Sequence, residues 1–176
     1  MKKSPSRPTP ESYWVEPGRF LAGEYPGSRL DLEMEERLVS FLDAGIETFI
    51  DLTQVGEREP YQPVLFSLAE RFPTLTVSHQ RFPIPDFNLP SITEMKTILD
   101  AIDGSLSHGH PIYLHCWGGV GRTGTVVGCY LVRRGLSGPQ ALRQLARWWA
   151  GVPKHVFFPH SPETGSQVQF VLDWKE

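Results

Sequence analysis

PIYLHCWGGVGRTGTVVGCYLV, residues 111–132, holds two different patterns on either side of a glycine-rich centre. Pro111 to His115 is a short apolar run of strand formers and reads as a buried β-strand. From Thr123 the apolar TVVGCYLV runs to a stop at Gly135, which predicts a helix beginning around Arg122. The join, HCWGGVGRTGT at 115–125, crowds one cysteine, one arginine and four glycines into eleven positions. A strand that passes through glycines straight into a helix belongs to an α/β architecture. In such sheets ligands bind beyond the carboxyl ends of the strands, where this loop lies.

The flanking sequence repeats the alternation. YWVEPGRFLAGEYPG (13–27) predicts two short strands around the Pro17-Gly18 turn. Met34, Leu38, Phe41 and Leu42 then share one helical face, with Gly45 as the stop. TFIDL (48–52) reads as a buried strand, residues 53–63 as a polar loop, PVLFSLAERF as a short helix and LTVSHQRFPI as a strand. PIPDFNLP (83–90) has three prolines in eight residues, which excludes a helix or a central strand. Ser91 and Glu94 form a capping box, after which Ile92, Met95, Ile98, Leu99, Ile102 and Leu106 trace one helix face. Ser137 opens a last long helix through Trp148 and Trp149, one expected in the core and one at the surface. The fold expected is a single α/β domain with a central, mostly parallel twisted sheet, helices on both faces, and the glycine loop between a central strand and a helix. MKKSPSRPTPE predicts a flexible tail over residues 1–12, leaving 13–176 as the domain.

Composition excludes several function classes. The 176 residues are 40% hydrophobic and 21% charged, with a net charge of −3. That balance argues against broad binding to nucleic acid or anionic membrane. No run of eighteen apolar residues predicts a membrane span. Two cysteines without a CxxC partner point to a reducing, cytoplasmic setting. Histidines 79, 108, 110, 155 and 160 show no ligand spacing, so neither metal nor cofactor is expected. A monomer is expected.

The glycine loop has a chemistry of its own. Gly118, Gly119 and Gly121 can take positive φ and turn backbone N–H groups inward, and several such amides at a helix N-terminus make an anion nest. Trp117, Gly118, Gly119, Val120, Gly121 and Arg122 would line it, with Arg122 gripping two oxygens through its planar fork. The same field favours the thiolate of Cys116, and such settings lower a cysteine pKa to roughly 3.5 to 7.5. A thiolate beside a bound phosphate is a nucleophile in line with phosphorus. The Thr123 hydroxyl is placed to hydrogen-bond the sulfur, and His115 to orient the loop through backbone hydrogen bonds. An ATP-binding GxxxxGK[ST] reading fails for want of a lysine, and a dinucleotide GxGxxG forced onto 119–124 leaves Cys116 and Arg122 unexplained.

These residues resemble the cysteine-dependent protein phosphatases, most of all the compact dual-specificity branch of the protein tyrosine phosphatase fold. The signature His-Cys-x-x-Gly-x-x-Arg-Ser/Thr is matched by His115, Cys116, Gly119, Arg122 and Thr123. VEPGRFLAG (15–23) is similar to the family's opening hairpin, and IDLT (50–53) to its early strand. The resemblance implies a cysteinyl-phosphate on Cys116, with Asp86 protonating the leaving oxygen and then, as carboxylate, activating water. Rival acids are Asp51, Asp100 and Asp103. SPETGSQVQF (161–170) is similar to a late segment whose glutamine positions that water, with Gln167 a better match than Gln169. Cys129 reads as packing.

The partner implied is a phosphoprotein or another phosphate monoester. The loop interior Trp-Gly-Gly-Val-Gly has no lysine or second arginine, which leans towards singly phosphorylated substrates. The chain lacks the extra length of tyrosine-specific relatives, so a shallower pocket admitting phosphoserine and phosphothreonine besides phosphotyrosine is expected. Alternatives are a phosphoinositide or inositol-phosphate phosphatase, and an inactive phosphate-binding module. Trp117 either lines the entrance or packs beneath the loop.

Overall fold

A computed structural model describes residues 5–176. Five strands form one sheet in the order β1-β2-β5-β3-β4: β1 (Ser12–Glu16), β2 (Phe20–Gly23), β3 (Thr48–Asp51), β4 (Ser78–Arg81) and β5 (Ile112–His115). Only the β1–β2 hairpin is antiparallel; β5 lies parallel between β2 and β3. The chain therefore enters the centre of the sheet last, through β5, with helical crossovers leading away on both sides.

Side-chain alternation along the strands divides the core in two. Leu21, Phe49 and Tyr113 face a layer built by α1 (Asp31–Asp43) and α2 (Gln62–Ala69), where Leu38, Phe41 and Leu65 are fully buried. Phe20, Ala22, Ile50, Ile112 and Leu114 face the opposite layer of α3 (Ile92–Ser107), α4 (Gly121–Arg133), α5 (Gly138–Trp149) and α6 (Gly165–Asp173). A short 3-10 turn, Pro153–Val156, links the last two. Both sides of β5 are covered, as its unbroken apolar run requires.

Helix starts follow local chemistry. At Ser91 the side chain accepts from Glu94 N while the Glu94 carboxylate accepts from Ser91 N. The same reciprocal box recurs at Ser137 with Gln140 and at Thr164 with Gln167. Each such cap contributes about 1 kcal/mol.

Four details differ from the sequence reading. Ile92, expected on the buried face of α3, is 60% exposed because it stands in the first turn, beyond the sheet. The strand expected over 75–84 narrows to Ser78–Arg81, half-buried at the sheet edge. Trp149 is buried, but Trp148 also packs, stacked 6.1 Å from Tyr13. The tail expected over 1–12 gives up Ser12, fully buried, to β1. Next to it Arg7 donates to the Ser12 and Gly151 carbonyls, and Trp14 Nε1 to the Ser6 carbonyl. Residues 1–4 of that tail lie outside the described residues.

Candidate active site

The loop from Cys116 to Val120 joins β5 to α4 at the carboxyl end of the sheet. Its carbonyls are held from outside: Cys116 O by His115 Nδ1, Trp117 O by Tyr25 N, Gly118 O by Lys154 Nζ and Val120 O by Ser161 Oγ. With the carbonyls turned outward, the peptide N–H groups turn in. Among the described residues, those from Trp117 to Gly121 donate to no backbone acceptor. Their position at the start of α4 adds the positive end of the helix dipole.

Of the three glycines expected to supply positive φ, Gly119 alone does, at +75°. A side chain there would also bring its Cβ within 2.6 Å of the Gly23 carbonyl carbon. Gly121 is required for a different reason, since its Cβ would meet the Gln167 amide at 2.9 Å.

Cys116 is 2% exposed and lines a pocket of about 310 Å³ together with Asp86, Phe87, Trp117, Arg122 and Glu163. Arg122 is held by four contacts. Glu57 receives both guanidinium nitrogens, Oε2 from Nη1 at 2.8 Å and Oε1 from Nη2 at 2.7 Å. Nη1 also donates to Ile84 O at 3.0 Å, and Nη2 forms an ion pair with Asp86 Oδ1 at 3.0 Å. Two outer nitrogens thus serve four oxygens, and the grip on two phosphate oxygens expected of this fork requires Asp86 to move off Nη2. Burial alone would raise the Glu57 carboxyl, but the hydrogen bonds from Arg122 hold it below the usual carboxylate value.

Beneath the loop lies a buried polar chain. His115 Nδ1 donates to Cys116 O at 3.2 Å, which leaves Nε2 to accept from Tyr61 Oη at 2.7 Å. Burial pushes His115 down to about 4, against the pull of Asp51, so it is neutral at pH 7. Asp51 accepts from Thr53, Arg81 and His79. Burial would raise its carboxyl; these donors and the nearness of His115 bring it far below the ordinary value. Asp51 is therefore structural, and Asp100 and Asp103 bind Arg133 on the far side.

The His115 arrangement predicts an acid limb in stability. Between its ordinary value near 6.5 and its folded value of about 4, the unfolded chain binds the proton and the folded chain does not. Stability therefore falls as pH drops through that window, by about 3 kcal/mol at most. Urea unfolding of wild type and His115→Asn at pH 7 and 4.5 reads the difference. Equal pH dependence of the two proteins would show that His115 is not responsible.

The structure also places the other residues singled out in the sequence. Thr123 Oγ1, expected to hydrogen-bond the Cys116 sulfur, is buried with no partner among the described residues. Gln167, expected to present its amide to water, accepts at Oε1 from the N–H groups of Glu163 and Thr164 and donates one Nε2 hydrogen to Asn88 O, which leaves the other Nε2 hydrogen without a partner among the described residues. Gln169 bonds Asp173 on the outer face of α6. Trp117 lines the entrance, half-exposed, with the Arg58 guanidinium 4.9 Å from its ring centroid. Cys129 is buried in α4, where burial pushes its thiol far up.

Glu57 and Glu163 escaped sequence reasoning. The only signal for Glu57 was its loop's position after the carboxyl end of β3; Glu163 lay inside a segment read for its glutamine. Partial burial and the charge of Asp86 hold Glu163 above an ordinary glutamate, against the pull of Arg122.

A family model described as "Swiss Army Knife protein, DSP-PTPase phosphatase domain" matches residues 9–169. The chain is 32% identical over 127 residues to "Protein tyrosine phosphatase domain-containing protein 1" of Mus musculus, covering 69% of this chain and 17% of that protein. It is 31% identical over 127 residues to "Dual specificity protein phosphatase CDC14B" of Mus musculus, covering 68% and 24%. It thus spans less than a quarter of the length of these curated relatives. The crystal structure of Tk-PTP in the active form superposes with a TM-score of 0.71 at 25% identity, covering 92% of this chain and 94% of that one. No helix among the described residues is long and apolar enough to cross a membrane.

Proposed function

This chain belongs to the DSP-PTPase phosphatases, and on that premise we propose that it hydrolyses phosphate monoesters through a cysteinyl-phosphate on Cys116, acting on phosphotyrosine and phosphoserine or phosphothreonine in proteins. The observation that carries this reading is the arrangement around Cys116: outward carbonyls, inward amides, and Arg122 and Asp86 lining the same pocket.

A phosphate entering the loop meets the amides and takes the Nη2 hydrogen that Asp86 now faces. Its equatorial oxygens are neutralised there without a metal, in a fixed field that needs no reorganisation as charge spreads in the transition state. The Cys116 thiolate attacks phosphorus as the ester P–O bond breaks. Asp86, displaced from Nη2 towards the leaving group, gives that oxygen its proton.

The pocket walls support this choice of substrate class. Phe87, Trp117 and Phe158 are exposed aromatic side chains at its mouth. Phe87 holds a left-handed φ of 58°, a strained conformation for a bulky residue, directly beside Asp86. An aryl or peptidyl leaving group suits such walls. Of the cations at the rim, Lys154 is ion-paired with Glu24 and Arg58 lies over the Trp117 ring, and Asp86 and Glu163 add negative charge. That lining disfavours the polyanionic inositol phosphates of the alternative reading.

Asp86→Asn separates the roles. Activity on phosphotyrosine and alkyl esters is expected to fall on the order of 10²-fold, with a much smaller loss on an activated ester such as 4-methylumbelliferyl phosphate, whose leaving group needs no proton. Equal losses across a leaving-group series would remove Asp86 as the acid.

A further inference from the structure

Glu163 is the carboxylate at the catalytic pocket that the chemistry above leaves unused. It lines the pocket with Cys116, Arg122 and Asp86, and no cation or donor among the described residues takes its carboxylate. Its backbone is pinned, because Gln167 Oε1 accepts from the N–H groups of both Glu163 and Thr164 where α6 begins.

Three polar atoms converge over Gly121. A Cβ at that position would lie 2.9 Å from Gln167 Oε1, 3.0 Å from Gln167 Nε2 and 3.2 Å from Glu163 Oε2. The oxygen of Gln167 is engaged twice, but only one of its two Nε2 hydrogens is, by Asn88 O. A small polar molecule here therefore finds one amide donor and one carboxylate acceptor, over the first residue of the helix that carries Arg122. Asp86 is placed differently, with its Oδ1 against Arg122 Nη2 at 3.0 Å and no contact to the atoms over Gly121.

We propose that Glu163 takes the proton from the water that hydrolyses the cysteinyl-phosphate, with Gln167 Nε2 holding that water, so that Asp86 and Glu163 divide the two steps between them. The inference rests on the phosphatase reading above. In this step the water oxygen bonds to phosphorus as the S–P bond breaks. The S–P electron pair returns to Cys116 as thiolate, one water proton passes to the Glu163 carboxylate, and the other leaves with inorganic phosphate. Glu163 then loses its proton to solvent. A carboxylate held above its usual value is the stronger base for this task.

The test is pre-steady-state hydrolysis of p-nitrophenyl phosphate by Glu163→Gln, with mass spectrometry of acid-quenched enzyme. The burst of nitrophenol is expected at the wild-type rate, followed by a kcat lowered on the order of 10²-fold and independent of the leaving group, with phosphate accumulated on Cys116. The Glu163 carboxylate makes no hydrogen bond or ion pair among the described residues, so the variant is expected to fold; a thermal melt matching wild type checks this. An unchanged kcat, or a burst slowed in step with kcat, overturns the proposal. If phosphoenzyme forms on Cys116 but turns over normally in Glu163→Gln, this proposal alone fails. If neither protein ever carries phosphate on Cys116, the phosphatase mechanism fails with it.

Discussion

Cys116→Ser is expected to lower kcat on p-nitrophenyl phosphate by on the order of 10⁴-fold or more, to the limit of detection, while inorganic phosphate still binds. The two halves have separate causes. The serine hydroxyl is almost wholly un-ionised and its oxygen is a poorer nucleophile than a thiolate, so attack on phosphorus is lost. In the proposed mechanism binding belongs to the amides from Trp117 to Gly121 and to Arg122, and the side chain at 116 sets neither. Cys116 is 2% exposed, and oxygen is the smaller atom, so the loop has no reason to rearrange. Its carbonyls remain held by His115, Tyr25, Lys154 and Ser161. Steady-state assay and calorimetric titration with phosphate read the two halves independently. Residual turnover above about 1% of wild type would move the nucleophile elsewhere. Loss of phosphate binding would mean that the sulfur helps hold the nest open.

What the sequence made legible was local. Strand, glycine loop and helix follow each other within 22 residues, so the spacing from Cys116 to Arg122 carries the site on its own. The helix starting at Ser91 was legible because Ser-x-x-Glu is a closed chemical unit. Thr164 and Gln167 make the same unit, yet their segment was read for water chemistry. The structure shows the capping bond taking the Gln167 oxygen, with the carboxylate of Glu163 lining the pocket beside it. The amide caps α6 through its oxygen, and one of its Nε2 hydrogens stays unengaged among the described residues. Glu57 was illegible for the opposite reason. It meets Arg122 across 65 residues of chain, from a loop with no periodicity. The β2–β5–β3 order brings the two together, and no spacing in the sequence encodes that order. Thr123 stood next to Arg122 in the motif, but adjacency along a helix does not fix where a hydroxyl points.

The Glu57–Arg122 pair supplies the second large effect. Arg122→Lys is expected to lower kcat/KM on the order of 10³-fold. One ammonium cannot meet Glu57 at two oxygens, the Ile84 carbonyl and a phosphate, contacts that lie on different edges of the guanidinium. The loss should appear in both kcat and KM, because the fork positions the phosphate before it stabilises the transition state. Stability should also fall, by about 1–3 kcal/mol, since a largely buried Glu57 loses its paired donors. Glu57→Gln tests whether that carboxylate acts through Arg122. The amide presents N–H groups to one guanidinium nitrogen, the fork tilts, and kcat should drop about 10-fold with Asp86 left as the remaining counter-charge. In the double variant the two losses should not add, because Glu57 has nothing to orient once the guanidinium is gone. The pH dependence gives an independent sign. The depressed Glu57 carboxyl contributes stability above the ordinary glutamate value, and that contribution is lost as pH falls through the lower folded value. This limb should be present in wild type and absent in Arg122→Lys, as read by thermal melts from pH 6 to 3. Strictly additive losses in kcat/KM would show that Glu57 braces the loop 53–60 for its own sake and that Arg122 finds its place without it.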